Sequence, residues 1–240
     1  MRAEWIKLRT LHSTWWCLAA LAVLTAGLGV IMAGAAAEAA HEGERLEPVA
    51  ASLQGGLLFG QVAIGVLGVL AVTSEYAGGT IRASVMAVPG RSRLFAAKCA
   101  VVAALGTTAG LLTAVASFLI GQHVFATSGL PHAALGDPGA LRAVLGAGLY
   151  LGMLGLFGLA MGFLVRSTAG GVIIVVSATV LVIAILRLLP EWVAQIWPTV
   201  AGLSILSPDG HLGGFALYTA FVALAVGGGL AVFYRRDVGA

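Results

Sequence analysis

Ala143-Val-Leu-Gly-Ala-Gly-Leu-Tyr-Leu-Gly-Met-Leu-Gly-Leu-Phe-Gly-Leu-Ala-Met-Gly-Phe-Leu-Val165 runs without a single charged or strongly polar side chain. A helix rises about 1.5 Å per residue, so roughly 20 apolar residues cross a hydrocarbon core about 30 Å thick. This stretch is long enough. It shows no period-two alternation, and in lipid only a helix satisfies its own backbone hydrogen bonds, so it reads as a transmembrane helix and not as a barrel strand. Five more stretches read the same way, at residues 16–37, 55–73, 99–121, 170–189 and 213–234. The fold class is all-α: a polytopic membrane protein of six transmembrane helices forming one domain over residues 1–240. Composition agrees, with 60% of residues hydrophobic, 10% charged and 34 glycines.

Cations set the orientation. With six spans, Arg2, Lys7, Arg9, Arg82, Arg91, Arg93, Lys98, Arg166, Arg235 and Arg236 flank one side, while Arg45, Arg142 and Arg187 flank the other. The positive-inside bias places both termini in the cytoplasm of a multi-pass protein of the cytoplasmic membrane. The acids Glu38, Glu42, Glu44, Glu47, Asp137, Glu191 and Asp209 fall outside. The net charge of +3 reflects this bias, and a nucleic-acid surface explains it less well.

Residues 1–15 suit a helix lying in the cytoplasmic interface, with Trp5, Leu8 and Leu11 near a spacing of three and Trp15 and Trp16 anchoring the turn into the membrane. The apolar run that follows is too long for the core of a signal peptide and reads as an uncleaved anchor. Residues 38–54 form an acidic outer loop and 122–141 a turn-rich one. Residues 190–211 are apolar but interrupted by Pro198 and Pro208. A third outer segment that crossed the membrane would carry Arg235 and Arg236 outside, so a re-entrant or interfacial helix pair is expected there.

The spans hold no acid, lysine or histidine, and Arg187 counts with the outer flank. No proton relay is available, and ion-coupled transport lacks its usual groups. A serine nucleophile would find no base in the spans, so intramembrane hydrolysis is excluded too. The chain has two lysines, Lys7 after Ile6 and Lys98 after Ala97, so a Gly-Lys-Ser/Thr phosphate loop is absent and the chain is not expected to be an enzyme. Energy from ATP must enter through another polypeptide.

The polar segment between the second and third runs is where that polypeptide would act: Ser74-Glu75-Tyr76-Ala77-Gly78-Gly79-Thr80-Ile81-Arg82, followed by Val88-Pro89-Gly90-Arg91-Ser92-Arg93 and Lys98. Thr80 can cap a short helix over residues 81–88, whose Ile81, Val85 and Val88 share a face, and Ser92 can cap the next. Glu75 and Arg82 could instead be ordinary solvated loop charges that only set orientation.

Ser-Glu-Tyr, then Gly-Thr-Ile-Arg, then Val-Pro and a basic stretch resembles the region between the second and third spans of ABC-2 type transporter permeases. Glu4-Trp5-x-Lys7-Leu8-Arg9-Thr10 at the start and Arg235-Arg236-Asp237 at the end are also similar to that family. The resemblance implies that the loop is a coupling helix seated on a separate nucleotide-binding ATPase, with Glu75, Tyr76, Gly79, Thr80, Ile81, Arg82 and Val85 in the contact region. It implies ATP and Mg on the partner and no cofactor on this chain. It implies a second permease subunit, identical or a paralogue, and a bacterial exporter; spans this apolar suit hydrophobic or amphiphilic cargo such as drugs, antibiotics or lipid-like molecules better than ions or sugars.

Gly148, Gly152, Gly155, Gly158 and Gly162 make a smooth stripe on the fourth span, suited to close helix packing within or between subunits. Gln61, Thr107, Thr113, Ser117, Tyr150 and Tyr218 are the candidates for a substrate pathway; the bland reading is that each bonds its own helix or anchors an interface. His41, His123, His132 and His211 share no ligand spacing, so no metal site is expected. Cys17 and Cys99 lie near the cytoplasmic ends, where thiols stay reduced. Two other classes of function remain open: a membrane scaffold or sensor that moves nothing, and a secondary transporter driven by an ion gradient.

Overall fold

The computed structural model describes residues 5–6, 12–87, 90–186, 188, 190–206 and 212–235. Most of the expected interfacial helix at 1–15 lies outside these residues, as do Val88, Pro89, Arg187, Asp209, His211 and Arg236. Among the described residues the fold is helical throughout, with no strand. Six helices are long and apolar enough to span a membrane. They are α1 (His12–His41), α2 (Pro48–Ala77), α4 (Arg91–Thr127), α5 (Ala140–Val165), α6 (Thr168–Leu186) and α9 (Leu212–Arg235). A short helix, α3 (Ile81–Ala87), joins α2 to α4. Two more, α7 (Glu191–Ile196) and α8 (Pro198–Leu203), followed by a 3-10 turn at Ser204–Leu206, fill the connection from α6 towards α9.

Several helices outrun their apolar cores. The acidic loop expected over 38–54 shrinks to 42–47, because the alanine-rich stretch 35–40 carries α1 on to His41 and Pro48 is preset for the first turn of α2. The second outer loop likewise starts only at Ser128, since nothing before Ser128-Gly129 breaks the helix. The cap expected from Ser92 is not made: α4 starts at Arg91 behind Gly90, whose φ of 107° a side chain would resist.

At the centre stands α5, buried along nearly its whole length and packed against α2, α4, α6 and α9. Close approach there depends on glycine, since lipid offers helices no hydrophobic gain from associating. A Cβ on Gly148 would lie 3.1 Å from the Leu111 backbone, and one on Gly162 would meet the Val69 carbonyl at 3.0 Å. Gly152 faces Thr107, Gly155 faces Val102 and Ile64, and Gly158 sits on the Gly65 backbone. The stripe therefore serves packing inside one chain. α1 lies outside α2 and α4, with Thr25 against Gly56 and Gly60.

α6 is not regular. Residues Ser177–Leu181 form a π-turn in which Val182 N donates to Ser177 O, five residues back. No proline or glycine occupies this stretch; Thr179 Oγ1 donates back to Val175 O at 2.8 Å, and side chains from other elements bond its carbonyls.

Candidate functional site

The bundle has a basic end, where α3, the α5–α6 turn and the end of α9 meet, and an acidic end, where residues 42–47, 128–139 and 190–206 meet. About two turns of α2 beyond Gly68 bring Ser74, Glu75 and Tyr76 to the basic end. Glu75 forms an ion pair with Lys98 of α4, and the two side chains are 0% and 2% exposed. Lys98 Nζ also donates to Ala71 O at 3.4 Å. The sequence reading put Lys98 in the interface and Glu75 at the expected partner contact, with a solvated loop as the alternative. Both are buried because the two helices run on past their apolar cores and turn these side chains toward each other. A carboxylate and an ammonium out of water are each costly, and their mutual pairing offsets that cost.

Around this pair the basic end is closely tied. Arg166 follows α5 with φ 56°, a left-handed conformation rare for a side chain of its size, and lies 5.2 Å from the Tyr76 ring centroid as a cation–π contact. Thr168 Oγ1 donates to Thr73 Oγ1 at 2.9 Å. Arg91 Nη1 donates to the carbonyls of Phe233 and Tyr234 at 3.3 and 3.1 Å, which satisfies the end of α9.

The short helix α3 sits on this platform. The turn before it needs Gly79 at φ 65°, and Ser84 N donates to Thr80 O at 3.0 Å to start the helix. Ile81, 3% exposed, and Val85 pack on Leu94, Phe95, Phe163 and Phe233. The opposite face presents Gly79, Thr80, Arg82, Ala83 and Met86, the last 82% exposed. Of the seven residues expected at a partner contact, Gly79, Thr80 and Arg82 are thus outward, while Glu75, Tyr76, Ile81 and Val85 face the bundle. Ala83 and Met86, four residues on from Gly79 and Arg82, share this outward face and were not among the seven.

Residues 1–184 match the model of the ABC-2 family transporter proteins. The chain belongs to this family. No curated protein matches it significantly. As an ABC-2 family transporter protein, it is a multi-pass transmembrane component of a transporter, and its family implies an ATPase partner.

In this ABC-2 protein the six candidate pathway residues separate into two groups. Gln61, Tyr150 and Tyr218 come together in the core. Tyr150 Oη donates to Gln61 Oε1 at 2.6 Å, Gln61 Nε2 donates to Leu58 O at 2.8 Å and Thr179 O at 3.2 Å, and Tyr218 Oη donates to Tyr150 O at 3.3 Å. The two tyrosine rings stack at 4.9 Å. Ser117 instead bonds Ser52 O at 2.8 Å, Thr113 bonds its own helix at Ala109 O and Gly110 O, and Thr107 packs on Gly152. Gln122, assigned by sequence to a loop, is a buried tie at the acidic end. Its Nε2 donates to Pro48 O and Ser52 Oγ, and its Oε1 accepts from Ala133 N at 2.7 Å. Among the described residues no three His, Cys, Asp or Glu side chains could hold a metal ion.

Proposed function

We propose that this chain is the permease subunit of an ATP-binding cassette exporter that moves hydrophobic or amphiphilic compounds out of the cytoplasm. ATP with Mg is hydrolysed on a separate nucleotide-binding subunit, which docks on the outward face of α3, and the basic end faces the cytoplasm. A second permease subunit, identical or paralogous, completes the pathway. One observation carries the reading: α3 is amphipathic across its width, with Ile81 and Val85 rooted in the bundle base and Arg82 and Met86 held out from it. A large, exposed methionine beside an arginine on a firmly seated helix is a contact patch of the kind found in protein interfaces. Glu75, Tyr76 and Arg166 act beneath it, joining α3 to α2, α4 and the α5–α6 turn, so that a push on α3 reaches three spans. The apolar character of the spans favours amphiphilic cargo over ions or sugars.

The test is the pair of variants Arg82→Glu and Met86→Asp, each made in the full chain co-expressed with its ATPase. Association with the ATPase should weaken about tenfold per variant, and cargo-stimulated ATP hydrolysis should fall with it, while membrane insertion is unchanged. Retention of full affinity by both variants would remove the docking role of α3. Cargo movement by the chain alone under a proton or sodium gradient would instead favour a secondary transporter.

A further inference from the structure

The segment between α6 and α9 is held by bonds that a simple connection would not need. Trp197 sits at the corner between α7 and α8 in an extended conformation (φ −66°, ψ 125°), and its Nε1 donates to Ala178 O at 3.1 Å. Thr199 Oγ1, 2% exposed, donates to the same carbonyl at 3.2 Å. The next carbonyl, Thr179 O, is the one that accepts from Gln61. Both carbonyls belong to the π-turn, and both accept from side chains of other elements. Helix α8 then lies directly over the tyrosine stack. A Cβ on Gly202 would meet the Tyr218 ring at 2.8 Å and the Tyr150 ring at 3.0 Å, so not even a methyl group separates them. Behind it, Ile205 fills the space over Gly146, and a Cβ on Gly214 of α9 would meet Ala201 O at 2.6 Å.

We propose that α7 and α8 form a closed lid over the Tyr150–Tyr218 stack at the acidic end, latched by Trp197 and Thr199 onto the Ala178 carbonyl of the π-turn. The latch and the core share one irregular turn: Gln61 grips Thr179 O from α2, and the lid grips Ala178 O one residue earlier. Since α2 runs on to the ion pair and to α3, a shift of α2 pulls on the turn that holds the lid. The role of lid opening in releasing cargo rests on the transport reading above; the latch itself does not.

The latch is tested on the full chain in lipid nanodiscs without ATP, in a Cys17→Ala/Cys99→Ala background carrying Ile205→Cys beneath the lid. A water-soluble maleimide reports access to the introduced thiol. With the native latch, labelling is slow. In Trp197→Phe/Thr199→Val, which keeps an aromatic ring and a branched side chain and removes both donors, labelling should rise about tenfold or more, as expected for the loss of two net hydrogen bonds. Gln61→Met, which loosens the π-turn from the α2 side, should raise it as well. Unchanged labelling in both would overturn the latch. Trp197→Phe alone serves if the double variant fails to fold, and labelling equal to the native rate there, with Gln61→Met also unchanged, overturns it equally. Because no ATP or cargo is present, failure of α3 to bind an ATPase would leave this result untouched.

Discussion

Glu75 and Lys98 show how one pairing changes what a charged residue does. Both are charges that open water would solvate; together they form a buried pair that ties α2 to α4. Removing one partner leaves the other buried without its counter-ion, at a cost of about 3–5 kcal/mol, whereas removing both in matched apolar or neutral form can be nearly neutral. Lys98→Met should therefore lower the thermal unfolding midpoint of the purified protein sharply, and Glu75→Gln/Lys98→Met should recover most of the loss. A single variant as stable as the native chain would show that the pair does not hold these helices. The same residues carry a lesson about reading charges. Glu75, Arg82 and Lys98 stand close together in a polar stretch of sequence, yet Arg82 is exposed while the other two are buried. Composition cannot sort them, because burial depends on where α2 and α4 happen to cross.

At the scale of helices, packing is governed by backbone contact. Gly158 sits on the Gly65 backbone, and a methyl group there would have to push α5 away from α2. Gly227 in α9 has nothing within 4 Å of the position its Cβ would take. Gly158→Ala should destabilise by roughly 1–3 kcal/mol through overpacking, while Gly227→Ala should be neutral or stabilising by up to about 1 kcal/mol, because alanine is the better helix former. Thermal melts of the two variants in the same detergent check this, and equal loss at both positions would contradict the packing contact. The regular spacing of the glycines already pointed to a packing face. Its partner, α2 and α4 of the same chain, comes from the arrangement of the bundle.

Across the whole molecule, Gln122 links three parts: the start of α2 through Pro48 and Ser52, its own helix α4, and the 128–139 connection through Ala133. Gln122→Leu leaves two backbone groups and a hydroxyl without this partner, so the acidic end should loosen. Limited proteolysis within 128–139 should become several-fold faster, since cleavage tracks the population of the open form; an unchanged rate would mean that the connection is held by other contacts. The amino-acid sequence by itself determined that the chain is an all-α membrane protein of six spans with an amphipathic helix between the second and third, because length, apolarity and turn residues are local properties that lipid reads directly. It did not determine helix ends, since alanine, glutamine and threonine continue a helix past its apolar core without any signal. Nor could it reveal the π-turn at Ser177–Leu181, whose residues are ordinary. That turn is clasped by Gln61, Trp197 and Thr199, and such distant side chains come within hydrogen-bonding distance only when the bundle has folded.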